Sequence, residues 1–210
     1  MLNSRKARTV KFGLITIVTA KVVVQSKDFR VLELGCGAGA NVHFFKKLGI
    51  HYYAIEGSAV IVNKLHEQIP DLRDVVKVGD FTKEIPFDQQ FDLIVDRASL
   101  THNSTAAIKH CLKIVTEKLI PGGIFIGIDW FSTQHTEYSH GVFCEDVNTR
   151  SGFERGQFLH VGKVHFSDKK HLYELFKAYN FEVLEHKIVQ REIPEENNVF
   201  ASWNFVARKK

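Results

Sequence analysis

From Phe29 onward, short apolar runs alternate with stretches whose apolar positions recur every three or four residues. The runs at Arg30–Leu34, Tyr52–Ile55, Val75–Val78, Phe91–Val95 and Gly123–Ile128 have the length of strands. Between most of them, Asn41–Leu48, Ala59–Gln68 and Ala106–Leu119 read as helices. In the last of these, Ile108, Leu112, Val115 and Leu119 share one face. Strands alternating with helices predict right-handed crossovers and a mostly parallel sheet covered on both faces. A further helix, His171–Tyr179, follows a long irregular stretch. The chain ends differently: Phe181–Val189 and Val199–Ala207 are consecutive strand patterns joined only by a Pro/Glu/Asn-rich link, which predicts an antiparallel hairpin. The expected fold is therefore α/β and Rossmann-like, with a seven-stranded, mostly parallel sheet closed by a C-terminal hairpin.

The pattern divides the chain into an N-terminal segment of unassigned structure, residues 1–28, and one domain, residues 29–210, in which 130–166 forms an insertion. In the first segment, Arg5, Lys6, Arg8 and Lys11 precede an apolar run from Phe12 to Ala20. That arrangement resembles a short signal peptide, but Lys21 interrupts the run and no convincing cleavage site follows. The run is too short to span a bilayer and reads more simply as a strand or short helix covering one edge of the domain. Composition changes little. At 210 residues, 44% hydrophobic and 25% charged, the chain has the make-up of an ordinary globular domain. A formal charge of +4 falls short of a nucleic-acid footprint. Cys36, Cys111 and Cys144 are odd in number and lack CxxC spacing, which fits a reducing cytoplasm.

The chemistry concentrates at VLELGCGAGANVHFF, Val31 to Phe45. A Gly-rich turn between a strand and its helix presents bare N–H groups to a ligand, and Gly37 and Gly39 remove Cβ atoms that would block its approach. A tight turn without a ligand would need the same glycines. Glu56, ending the second strand pattern 19 residues after Gly37, adds a carboxylate suited to a ribose diol. Together they indicate a nucleoside-containing cofactor. Gly35, Gly37 and Ala40 also satisfy the dinucleotide GxGxxA pattern. Glu33, two residues before the first glycine, opposes a pyrophosphate and suits a ligand carrying an amine and a sulfonium.

LELGCGAGAN resembles motif I of the class I S-adenosylmethionine-dependent methyltransferases. VGDFTKEIPF (Val78–Phe87) resembles that family's acidic loop, FDLIVDRASLTH (Phe91–His102) its fourth-strand motif, and LIPGGIFIGID (Leu119–Asp129) its helix–PGG–fifth-strand motif. The match covers about Phe29 to Arg208 and includes the terminal hairpin. The resemblance implies S-adenosylmethionine as cofactor and a role for each matching position. Gly35, Cys36, Gly37 and Gly39, with Asn41, border the methionine part, and Glu33 holds that region. Glu56 takes the ribose hydroxyls, beside Gly57 and Ser58. Asp80 accepts from the adenine amine while Phe81 packs on the ring. Asp96 and Arg97 approach the methionine amine and the methyl group. Plainer roles exist too: Asp80 capping a turn, and Phe81 as core.

Methyl transfer needs alignment, and a hydroxyl or amine acceptor can also need a base. His102 is the first candidate, on the segment leaving the fourth strand pattern; lining the next helix is its plainer role. Asp129 is the second. Two carboxylates are fewer than an oxygen-rich metal site gathers, and His135/His140 and His160/His165 lack HxxxH spacing, so no metal is expected. The stretch Trp130–Phe166, rich in His and aromatics (Tyr138, Phe143, Phe153 and Phe158 among them), is expected to wall the acceptor pocket as a structureless loop. Asp96-Arg97-Ala98-Ser99 stands where amino-methylating nucleic-acid enzymes carry [DN]PP[FY], and no cysteine follows a proline. A small-molecule acceptor, methylated on O or N, is therefore expected rather than nucleic acid. The alternatives are an NAD-dependent oxidoreductase, a non-catalytic S-adenosylmethionine-binding partner subunit, and an RNA or protein methyltransferase. Residues 1–28 do not read as the N-terminal helices that often cover the cofactor in this family. That leaves open a homodimer or partner subunit covering the site.

Overall fold

The computed structural model describes residues 8–11, 21–24, 28–193 and 198–210. Strands β1 (Arg8–Lys11) and β2 (Lys21–Val24) pair antiparallel. The apolar run Phe12–Ala20 of the expected edge element, and the basic residues Arg5 and Lys6, lie outside the described residues.

The main body alternates as the pattern predicts: β3 (Arg30–Leu34), α1 (Val42–Lys47), β4 (His51–Glu56), α2 (Ala59–Gln68), β5 (Val76–Val78), β6 (Phe91–Arg97), α3 (Thr105–Lys118) and β7 (Leu119–Phe131). After an excursion carrying β8 (Val142–Cys144), β9 (Asp146–Ser151) and β10 (Val164–His165) come α4 (Lys169–Ala178), β11 (Phe181–Ile193) and β12 (Asn198–Lys209). The seven-stranded sheet has the order β11-β12-β7-β6-β3-β4-β5. Strands β3 to β7 run parallel, and β12 is antiparallel to both β7 and β11. The order reverses beside β3, so β3 and β6 diverge into their helices at the switch point where such sheets bind ligands.

Alternation along each strand divides the core. Leu32, Ile94, Phe125 and Phe205 face one layer, with Ile108 and Leu112 of α3 and Leu172 and Phe176 of α4. Val31, Leu93, Ile126 and Val206 face the other, with Val42 of α1 and Val62 and Leu65 of α2. The three longer helices begin at side-chain caps: Ser58, Ser104 and Asp168 accept from the N–H of Ile61, Ala107 and His171. No helix among the described residues is long and apolar enough to cross a membrane.

Residues 130–166 are not the structureless loop that was expected. β8, β9 and β10 form a small antiparallel sheet of order β10-β9-β8. Phe131, Phe153, Phe158, Val164 and Phe166 give it a core of its own. These aromatics are scattered in sequence without period, so the cluster exists only once the chain has folded back.

Candidate active site at the carboxyl end of the sheet

The Gly-rich turn leaves β3 at Gly35 (φ +69°), whose N–H donates to the Ile55 carbonyl at 2.8 Å. A Cβ at Gly35 would lie 2.0 Å from Ser99 Oγ, and one at Gly39 (φ +80°) 2.7 Å from Leu65 Cδ2. Those glycines serve close packing. Gly37 (φ +51°) differs, because a Cβ there meets nothing within 4 Å. Its open side is where a ligand can approach the main chain.

Glu56, at the end of β4, faces this turn. Its Oε2 accepts from the Gly37 N–H at 2.9 Å and its Oε1 from the Ser58 N–H at 3.0 Å. Each carboxylate oxygen has two lone-pair sites, so one on each remains for a diol. Gly57 is exposed beside it, and Ser58 turns its hydroxyl to cap α2.

Glu33 is buried beneath the turn, where Asn41 Nδ2 and Tyr52 Oη each donate to it at 2.6 Å. Burial raises its pKa, and the bonds from Tyr52 and Asn41 oppose the rise. Tyr52, unmarked by the sequence reading, is what fixes this carboxylate. The Cys36 thiol is pushed up to about 12 by burial and by Glu33 and Glu56, so it stays protonated at neutral pH.

Asp80 is exposed after β5. Its Oδ1 accepts from Thr82 N–H (3.0 Å) and Thr82 Oγ1 (2.6 Å), and Lys83 Nζ lies 3.0 Å from Oδ2. Thr82 above all lowers its pKa. The plainer role of capping a turn is thus present; Oδ2 stays at the surface. Phe81 is half-buried against the core and 3.7 Å from the Cβ position of Gly35, which puts its ring at the switch point.

Asp96 sits differently from the expected methionine contact. It is fully buried; Oδ1 accepts from the Leu100 N–H (3.0 Å) and Oδ2 from Trp130 Nε1 (2.6 Å). Burial pushes its pKa to about 7 despite these donors. Its carboxylate braces the rim from within, a role that Trp130 makes visible only in three dimensions.

Arg97 emerges at the rim and pairs with Asp129, Nε to Oδ2 at 3.3 Å. Asp129 and Ala98 both have φ +56°, left-handed values that non-glycine residues seldom adopt. The irregular β7–β12 register between Trp203 and Phe205 accompanies that twist, with the Asp129 N–H donating to Asn204 Oδ1 at 2.7 Å. The two left-handed residues sit side by side on neighbouring strands, the Ala98 N–H donating to the Ile128 carbonyl at 2.9 Å. His102 is exposed, its ring edge-on to Phe131 at 5.9 Å. The surrounding protein lowers its pKa, with the Lys163 carbonyl acting the other way. It is therefore neutral at pH 7, with a lone pair for a proton.

The structure brings the Gly-rich turn, Glu33, Asn41 and Glu56 together, with Ser99 closing the turn from β6. Arg97, Asp129 and His102 lie along the neighbouring rim. No group of three or more metal-ligating side chains occurs among the described residues.

Residues 7–186 match the profile of a family described as a methyltransferase domain. No curated protein matches the chain in sequence. Among solved structures, it is similar to a SAM-dependent methyltransferase from Methanosarcina mazei at 18% identity and TM-score 0.69, covering 88% of this chain and 93% of that one. It is also similar to a methyltransferase from Streptomyces caelestis, at 19% identity and TM-score 0.65, over 87% and 89% of the two chains. A SAM-bound amino-pentose methyltransferase of calicheamicin biosynthesis from Micromonospora echinaspora shares 18% identity at TM-score 0.58, over 87% and 84%. With the profile matched over residues 7–186, the chain belongs to the methyltransferase-domain family, as a class I S-adenosylmethionine-dependent methyltransferase.

Proposed function

We propose that the protein methylates an O or N atom of a small molecule, with residues 130–166 forming the acceptor wall. The observation that carries the cofactor side is Glu56, held by two main-chain donors with one acceptor site left on each oxygen. Gly37 supplies the open approach, and Glu33, hydrogen-bonded by Asn41 and Tyr52, lies beneath the turn on the methionine side. Asp80 and Phe81 would meet the adenine. When bound, the cofactor supplies an electrophilic methyl on a sulfonium. The chain's part is to align an acceptor and, where needed, take its proton. His102, neutral at the rim, is the base in this reading, and the Arg97–Asp129 pair orients the acceptor. An amino-pentose methyltransferase among the similar structures supports a small-molecule acceptor. The test is release of S-adenosylhomocysteine by purified protein against pooled metabolites and, separately, RNA and protein. Turnover with a metabolite pool is expected. Turnover confined to RNA or protein would overturn the acceptor class.

A further inference from the structure

Beyond the β7 end, a cavity of about 380 Å³ opens between the insertion and the start of β12. Glu137, Gly156, His135, Gln157 and Phe200 contribute to its lining. Glu137 is only 3% exposed, and its Oε2 has no hydrogen-bond partner among the described residues. His140 Nδ1 lies 3.7 Å from its other oxygen, too long for a hydrogen bond, and that nitrogen has no hydrogen-bond partner among the described residues. A buried carboxylate oxygen left without a donor is expensive and asks what it is for. Its position is also enforced: a Cβ at Gly156 (φ +79°) would lie 1.8 Å from Glu137 Oε1, so only glycine leaves room for the carboxylate there.

Among the described residues, the cavity lining contains no lysine or arginine. His135 accepts the Glu137 N–H on Nδ1 at 3.1 Å, and burial lowers its pKa to about 4, so the ring is neutral. Its other nitrogen lies 3.0 Å from the Gln157 amide. Phe200 stands edge-on to His135 at 5.2 Å. The Arg191 guanidinium lies 5.7 Å from the Phe200 ring and forms no ion pair with Glu137. A carboxylate oxygen without a donor, beside an aromatic ring, favours a cation bearing N–H donors. Phe131 stands between this cavity and the rim, its ring 6.0 Å from His135 on one side and 5.9 Å from His102 on the other.

We propose that this cavity binds a protonated amine of the acceptor, with Glu137 as its anchor. The inference rests on the methyltransferase reading above and narrows its substrate class to small cationic amines. An ammonium held on a carboxylate keeps its proton and has no lone pair. The methyl therefore goes to a different O or N atom of the same molecule, and the amine serves to position it.

The test uses the full chain saturated with S-adenosylhomocysteine. Binding is measured by ligand-observed NMR for matched pairs: benzylamine and benzyl alcohol, cyclohexylamine and cyclohexanol, glucosamine and glucose. At least one amine should bind roughly tenfold or more tightly than its alcohol. Glu137→Gln should abolish that preference while leaving S-adenosylhomocysteine affinity unchanged. Amine and alcohol binding alike in every pair, no amine binding at all, or a preference that survives Glu137→Gln would each overturn the proposal. If Glu137→Gln does not fold, the wild-type ratios decide. Failure of the wild-type chain to bind S-adenosylhomocysteine is a separate result, and it would overturn the underlying reading instead.

Discussion

Removing Glu56 tests the cofactor side most directly, because the structure separates two jobs of one carboxylate. It accepts the Gly37 N–H at 2.9 Å and the Ser58 N–H at 3.0 Å, and it retains one acceptor site per oxygen for the ribose diol. Hydrogen bonds to a charged group contribute about 1.5–3 kcal/mol each, less where water competes. For the two bonds a diol would make at this part-exposed rim, Glu56→Ala should weaken S-adenosylhomocysteine binding by about 2–3 kcal/mol, or roughly 30- to 150-fold in Kd. The unliganded protein should lose only about 1 kcal/mol, since water can reach the freed Gly37 and Ser58 donors. Glu56→Gln keeps the shape but turns one oxygen into an NH2, which then faces a main-chain N–H. That variant should fall between the other two. Calorimetry gives the affinities and thermal unfolding the stability. If Glu56→Ala binds within about twofold of wild type while its unfolding midpoint drops, the carboxylate is a loop brace and the ribose assignment is wrong.

Four further outcomes are expected. Gly35→Ala should destabilise the fold by about 2–4 kcal/mol through left-handed strain and collision with Ser99, whereas Gly37→Ala, with open space at its Cβ, should lose about 1 kcal/mol of stability yet bind S-adenosylhomocysteine poorly. His102→Ala should lower turnover about 10²- to 10⁴-fold at unchanged cofactor affinity, and the wild-type rate should fall off in acid below the ordinary histidine value because the surrounding protein lowers this pKa; an unchanged rate and profile would leave alignment alone, or Asp129, as the catalyst. Buried His135 and His165, lowered to about 4 and about 3, stabilise the fold above the unfolded histidine pKa and lose that contribution as pH falls, about 2 kcal/mol each by pH 5. Asp96, raised to about 7, acts oppositely and gains about 2.5 kcal/mol over the same descent, so unfolding should show Asp96→Asn losing stability more steeply toward pH 5 than wild type.

What could be read from the sequence was local. α2 spans Ala59–Gln68 as the pattern predicts, because Ser58 caps it and Val62 and Leu65 carry its buried face. The glycine turn, Glu33 and Glu56 were legible for the same reason: each follows its strand at a fixed distance along the chain. β7 begins at Leu119 rather than Gly123, since Leu119 pairs with Phe91, a partnership no hydrophobic period records. Tyr52, Ser99 and Trp130 support the site only across strands. Tyr52 had a readable signal, lying two residues before Ala54, the residue that pairs with Glu33. The insertion was least legible. β9 reads Asp-Val-Asn-Thr-Arg-Ser, and its Arg150 is buried with the guanidinium 4.1 Å over Tyr138 and 3.8 Å over Phe143. A cation used as packing material defeats a hydrophobicity pattern.

That insertion also changes how acceptor selection would work. A structureless wall would order on binding, and the ordering would weaken affinity. Here Phe131 belongs at once to β7 and to the insertion core, against Phe158 at 4.7 Å and Phe166 at 6.1 Å. A second fastening joins the insertion to α3: Asp146 accepts from Thr105 N–H at 2.9 Å and Thr105 Oγ1 at 2.8 Å. Burial would raise the Asp146 pKa, yet these bonds and those from Asn148 and Thr149 hold it at about 2, so the tie persists through the physiological range. His165 adds a third, with its ring nitrogens 3.4 Å from Thr105 Oγ1 and 3.2 Å from His171 of α4. A wall held by the sheet and two helices does not need to close. If it lines the acceptor pocket as proposed, discrimination rests on a preformed cavity, and a variant that loosens one fastening should raise KM for the acceptor before it lowers kcat.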